Sequence, residues 1–314
     1  MSEKKATREA YGEALAEFGA QYDFVVLDAD LSKSTKTDSF KKIFPERFFN
    51  MGIAEANMMT TAAGLAAAGK TVFASSFAVF ASGRAFEQIR NSIAYPHLNV
   101  KIGATHAGIS VGEDGPTHQS VADMAIMRTL PGMTIISPAD ATESRAAVKA
   151  ALENDGPFYL RFGRLSVPHI YDAATYKFEL GKGIVLSEGK DVTIVATGLM
   201  VQEAIEAGKI LAAKGISAEI IDIHTIKPID AELLAKSAKK TGAVVTAEEH
   251  SIIGGLGGAV AEVLAENMPV PMTRVGMMDT FGKSGKPAAL LEKFGLTAEN
   301  IAQKALDTIQ KKNA

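Results

Sequence analysis

Residues 100–119 read VKIGATHAGISVGEDGPTHQ. Val100 to Ala104 form a short apolar run that predicts a buried strand, and a polar loop punctuated by glycine comes directly after it. Open α/β sheets bind ligands outside the carboxyl ends of their parallel strands, so polar groups here are placed for chemistry. Gly103, Gly108, Gly112 and Gly115 permit tight turns, while His106, Asp114 and His118 can exchange protons or grip hydroxyls. The competing reading is an acidic surface loop.

The same alternation of apolar runs and helical patterns recurs on both sides of this stretch. Thr7 to Gly19 predicts an amphipathic helix capped by Thr7, Phe24 to Leu27 a buried strand, and Asp28 to Thr37 a polar loop at its end. Ala54 to Ala68 reads as a helix stopped by Gly69, Thr71 to Ala74 as a strand, and Ser82 to Ala94 as a helix. Strands at 134–137 and 158–162 flank a helix at 139–153. Such alternation implies a parallel sheet covered on both faces. Pro168, Gly181, Gly183 and Gly189 then break the pattern, and strands at 192–196, 218–222, 243–246 and 272–276 resume it with helices at 201–214, 231–241 and 256–267 and a helical tail. The expected organisation is two three-layer α/β domains, residues 1–165 and 191–314, joined by a linker at 166–190.

Composition agrees with this. A chain of 314 residues suits two domains of ordinary size, and 47% hydrophobic with 22% charged residues is usual for a globular protein. A net charge of -3 with no long run of either sign offers no footprint for nucleic acid or an anionic membrane. The absence of cysteine excludes disulfides, thiolate metal sites and thiol catalysis. The start, MSEKKATRE, has no apolar signal core, and no stretch approaches the ~20 apolar residues of a membrane span, so a cytoplasmic location is expected.

Two glycine-rich stretches fail as nucleotide motifs. Gly254-Gly255-Leu256-Gly257-Gly258 lacks the G-x-G-x-x-G spacing, because Val260 stands at the third glycine position, and a tight strand-to-helix turn is the better reading. GMMDTFGKS at 276–284 has one residue too many for a phosphate loop and is expected as a surface loop. The six histidines include no i, i+3 or i, i+4 pair, so no metal site is expected from this chain alone. His97, His169 and His224 read as structural.

Two further segments join the loop. In NMGIAEANM at 50–58, Glu55 sits among small and apolar residues at a helix start, where the helix dipole favours its charge and burial opposes it. In SFAVF at 76–80, Phe77 and Phe80 stand three apart beyond a strand. Taken singly, these would be an ordinary helix acid and core aromatics.

Together the three segments resemble the transketolase family, in which GEDGPTHQ is close to a signature, GIAEANM matches the segment of the cofactor-activating glutamate, and SFAVF matches the aromatics on the pyrimidine. The likeness extends through Ala6-Thr7-Arg8, Asp30 to Ser34 and Leu160-Arg161, and more weakly through Ala247 to His250. It implies thiamine diphosphate as cofactor, with Glu55 at N1′ of the aminopyrimidine and Phe77, Phe80 and Asp30 around it. It also implies His106 and His118 as catalytic groups, Asp114 on a substrate hydroxyl, and Arg8, Ser34, His106 and Arg161 on a sugar phosphate, with Arg164 as a competitor for the last place. Gly83 stands where relatives carry a third aromatic.

The family's Gly-Asp-Gly segment and following asparagine, which bind the divalent metal, have no counterpart here. The resemblance therefore implies the C-terminal subunit of a split transketolase. Mg2+ or another divalent ion would be held by an N-terminal partner subunit in an α2β2 assembly, and the reaction would move a two-carbon ketol unit between sugar phosphates. The rivals are a beta-type subunit of a 2-oxoacid dehydrogenase, a deoxyxylulose phosphate synthase-like enzyme, a non-catalytic partner that kept the fold, and a two-domain dehydrogenase.

Overall fold

The computed structural model describes residues 4–312. Its strands, in chain order, are β1 (Lys4–Ala6), β2 (Phe24–Asp28), β3 (Phe48–Asn50), β4 (Thr71–Phe77), β5 (Val100–Thr105), β6 (Thr134–Ile136) and β7 (Phe158–Arg161). Next come β8 (Ser166–Pro168), β9 (Ile184–Ser187), β10 (Val192–Ala196), β11 (Ala218–Asp222), β12 (Thr225–Lys227), β13 (Val244–Ser251) and β14 (Met272–Met277). Seven of them form a sheet in the order β12-β6-β7-β5-β4-β2-β3, parallel except for β12. Five form a second sheet, β14-β13-β10-β11-β9, parallel except for β9, and β1 pairs with β8.

Alternation along each strand sets the layers. Phe24 and Val26 of β2 and Phe73 of β4 pack with Tyr11, Leu15, Ala147 and Val148 on one face of the first sheet. Their neighbours Leu27, Val72 and Ala74 turn to the other face, against Met58, Met59 and Ala62 of the helix Glu55–Ala67. In the second sheet, Val192, Ile194 and Ala196 meet Met200, Ala204 and Ile301 on one side. Val195, Ile221 and Val244 on the other side belong to the same apolar cluster as the first domain's Met124 and Met133. The fold is thus two three-layer α/β units sharing part of one core.

Several departures from the sequence reading have local causes. β12 lies within the second half of the chain yet extends the first sheet, and β9 extends the second sheet from within the stretch expected as a connector. Thr7 is not a cap: the helix Thr7–Phe18 starts after Ala6, and Thr7 Oγ1 accepts the Gly163 amide at 2.8 Å. The expected helix at 82–94 begins earlier, at Ala78–Arg84, breaks at Ala85, and finishes as a π-turn at Ile89–Ala94. That early start directly after β4 is what brings Phe77 and Phe80 to the carboxyl edge of the sheet.

Candidate active site

The site is assembled at the carboxyl ends of β2, β4 and β5. Phe77 ends β4, and Phe80 lies one helical turn beyond it, with nearly parallel rings 5.8 Å apart. The His106 ring lies 3.7 Å from Phe77, and His118 meets Phe80 edge-on at 5.3 Å. Glu55, 4% exposed at the start of its helix, bonds Arg84 Nη1 through both oxygens at 3.2 and 3.3 Å. The Arg84 guanidinium in turn lies 4.3 Å over Phe80. A continuous chain of contacts therefore runs from Glu55 to His106.

From His106 it continues into a basic region. Arg8 Nη1 donates to the Ser34 carbonyl at 2.7 Å and to His106 Nε2 at 3.1 Å. Because a guanidinium can only donate, Nε2 must accept, which puts the imidazole proton on Nδ1, where it reaches Thr105 Oγ1 at 2.9 Å. Burial, reinforced by Arg8, Arg164, His118 and Lys36, pushes His106 down to about 3. It is therefore a neutral ring near pH 7. His118 is half-buried, with Nδ1 3.0 Å from Thr117 Oγ1.

Arg161 departs furthest from expectation. It was expected to receive a phosphate, but its Nε bonds Asp123 at 2.8 Å, its Nη2 bonds the Glu249 carbonyl at 2.9 Å, and its side chain is 6% exposed against 0% for Asp123. Tyr159 adds a third donor to Asp123 at 3.0 Å. The Nε and Nη2 donors of this guanidinium are committed to protein partners, and removing it would strand a buried carboxylate. Arg164, half-buried, instead carries its charge toward His106 and Arg8 and bonds the Val111 carbonyl at 2.7 Å. The end of β7 accounts for the difference: Arg161 is still in the strand and bonds across the domain junction to the Glu249 carbonyl, while Arg164 lies past its end.

Asp30 and Asp114 stand at the rim. Asp30 is exposed, with φ 62°, and accepts Asn50 Nδ2 at 2.8 Å; Asp114 is exposed in the 3-10 turn Gly112–Asp114. Neither bonds to a member of the Glu55–His106 chain. Ser34 contributes its carbonyl to Arg8, and its loop is shaped by buried Asp28, which accepts the Leu31 amide and the Thr35 and Thr37 hydroxyls at 2.6, 2.6 and 2.9 Å. Asp28, Lys36 and Arg84 are the contributors that sequence reasoning missed. A run of hydroxyls after Asp28 was the available signal for that brace; nothing local marked Arg84.

The second domain holds the loop from behind. Glu249 accepts the Ser110 amide at 2.6 Å, and a Cβ on Gly108, where φ is 82°, would lie 2.2 Å from the Glu249 carboxyl carbon. Gln119 Nε2 donates to the Lys283 carbonyl at 2.8 Å, so the segment read as a surface loop supports the site. The glycine-rich turn at 254–258 is also explained: Glu248 accepts the Leu256 and Gly257 amides at 2.7 and 2.8 Å. The chain's own carboxylate occupies the helix N-terminus that a pyrophosphate would need, and a Cβ at Gly255 would sit 2.0 Å from it. This removes the physical basis for the dehydrogenase reading.

The match to known proteins agrees with this architecture. Residues 3–169 match the transketolase pyrimidine-binding domain and residues 181–301 the transketolase C-terminal domain. The chain belongs to the transketolase family. Its two domains make it the C-terminal, pyrimidine-binding type of subunit found in split transketolases, and that domain implies thiamine diphosphate. A putative transketolase C-terminal section from Methanocaldococcus jannaschii is 54% identical, over 98% of this chain and 97% of its own length. A 6-deoxy-6-sulfo-D-fructose transketolase subunit from Clostridium sp. is 48% identical over 98% of this chain and 95% of its own. A solved split gene transketolase, described as an inactive beta4 tetramer, superposes with TM-score 0.91 at 59% identity, covering 97% of this chain and 98% of that one.

Proposed function

We propose that the chain is the C-terminal half of a thiamine diphosphate-dependent transferase that moves a two-carbon ketol unit between sugar phosphates. Its N-terminal partner subunit would hold the diphosphate and a divalent metal. The observation that carries the reading is the continuous line from buried Glu55, through Arg84, to Phe80, Phe77, His118 and His106, and on to Arg8. A buried carboxylate beside flat aromatic faces fits an aminopyrimidine, which needs a proton-sharing acid at one edge and apolar packing on its face. The relatives include a subunit named for a sulfosugar substrate, and that supports a sugar-handling transferase without fixing which sugar.

Thiamine diphosphate, when bound, supplies the carbon nucleophile and electron sink of the reaction, and the protein supplies orientation and electrostatics. Glu55 would hold the proton shared with N1′. Phe77 and Phe80 would keep water from the ring, and His118, edge-on to both, would hold or receive a proton beside the reacting oxygens. His106, neutral and fixed by Arg8 and Thr105, would present a hydrogen-bonding edge to substrate. Asp114 would grip the hydroxyl beside the carbonyl, and Asp30 would line the cofactor's rim. Arg8, Arg164, Lys36 and the Ser34 segment would receive the phosphate; guanidinium pairs suit that task because they bind phosphate oxygens two at a time. This basic group favours a sugar-phosphate transferase over a 2-oxoacid dehydrogenase subunit, whose substrate carries no phosphate.

Reconstitution tests the proposal. The chain alone should bind thiamine diphosphate weakly and transfer nothing, and addition of the co-purifying partner should restore both. Tight, metal-dependent cofactor binding by the chain alone would overturn the two-subunit reading, and sedimentation of the reconstituted species would check the α2β2 stoichiometry.

A further inference from the structure

We propose that Arg84 is a displaceable internal stand-in for the cofactor's aminopyrimidine, occupying the same two partners in the free chain and released when the cofactor binds. The inference rests on Glu55 being the cofactor-facing acid. An aminopyrimidine in this site needs an N–H or protonated edge toward Glu55 and a flat face toward an aromatic ring. Arg84 already makes both kinds of contact: Nη1 donates to the two Glu55 oxygens at 3.2 and 3.3 Å, and the planar guanidinium lies 4.3 Å over Phe80. A planar cation of this kind satisfies a buried carboxylate that would otherwise be left alone at 4% exposure.

The pair is also built to let go. One nitrogen serves both oxygens at distances longer than the ~2.7–2.9 Å of a strong charge-assisted bond, so the two-nitrogen fork that would lock it is not formed. The Arg84 side chain is 55% exposed, with water available to its charge if it swings out. A Cβ at neighbouring Gly83 would have nothing within 4 Å, so the adjoining backbone leaves room for that movement. The helix also breaks at Ala85, directly after Arg84. Gly83 and Arg84 thus stand together at the open side of the pocket, the first leaving space and the second filling it reversibly.

The test measures binding rather than turnover. The full chain is titrated with the free aminopyrimidine alcohol of thiamine by ligand-observed NMR, and the reconstituted complex with thiamine diphosphate by calorimetry, for wild type, Arg84→Met, Glu55→Gln and the double variant. If Arg84 competes, Arg84→Met tightens both ligands by roughly two- to fivefold, the size expected for releasing a half-exposed ion pair. That gain disappears in the Glu55→Gln background. Arg84→Lys, which keeps the charge but loses the planar stack, should fall between wild type and Arg84→Met. Unchanged or weaker binding in Arg84→Met, with Glu55→Gln still impairing it, overturns the stand-in and leaves Glu55 in place. Indifference of binding to Glu55→Gln, or no binding of either ligand, overturns the underlying reading of the pocket. Melting temperatures confirm that each variant is folded.

Discussion

Among the arginine–carboxylate pairs of the first domain, two do opposite things. Arg161 and Asp123 are buried on both sides, joined by Nε at 2.8 Å and surrounded by further bonds from Tyr159 and to Glu249. Arg84 and Glu55 pair a half-exposed guanidinium with a buried carboxylate through one nitrogen. Burial pushes Asp123 up, but Arg161 and His250 more than reverse this and hold it below the usual carboxylate range. The lesson is that the residue type does not decide whether an ion pair is framework or site. Solvent access and the number of bonds each partner makes decide it.

The largest expected effect breaks the framework pair. Arg161→Met leaves Asp123 charged and buried, which should cost about 3–5 kcal/mol of stability, read from denaturant unfolding. A loss confined to phosphorylated donors, with stability intact, would return Arg161 to the phosphate site. Glu55→Gln is the counterpart. It should lower kcat by roughly 10²-fold or more while the melting temperature of the complex hardly moves. Normal exchange of the cofactor's C2 proton in this variant would remove Glu55 from the mechanism.

A smaller effect is expected from Arg164→Ala, which should raise KM for phosphorylated donors by an amount equivalent to about 1.5–3 kcal/mol and leave unphosphorylated donors far less affected. Equal losses for both donor classes would assign Arg164 to bracing Val111 only.

The smallest concerns buried acids with no cation at all. Asp222 and Glu143 accept the hydroxyls of Tyr171 and Tyr176 at 2.6 and 2.5 Å where the two domains meet. Burial raises both above the carboxylate range, and Asp222 raises Glu143 further. From near pH 4 upward, the unfolded chain releases protons that the folded chain retains, so this pair makes stability fall as pH rises until the raised folded pKa values are passed. Asp222→Asn, uncharged throughout, should flatten the fall in melting temperature across that window. A slope unchanged from wild type would show that the pair does not govern it.

The sequence alone determined the alternation of strands and helices, because burial on both faces of a parallel sheet demands continuous apolar runs between the helical patterns. It also carried the Glu55, Phe77–Phe80 and 106–119 segments, since their chemistry is concentrated within a few residues and their order along the chain is their order along the sheet edge. What it could not decide was set by long-range packing. Arg161 and Arg164 are three residues apart in one short stretch, and only the end of β7 tells which faces the junction and which the site. β12 joins the first sheet across about ninety residues of chain, and Glu248 fills the glycine turn that a nucleotide motif would imitate. Arg84 reaches Glu55 from a different helix, 29 positions away. Such contacts depend on where elements stop and on what stands opposite them, and neither is written in the local pattern of residues.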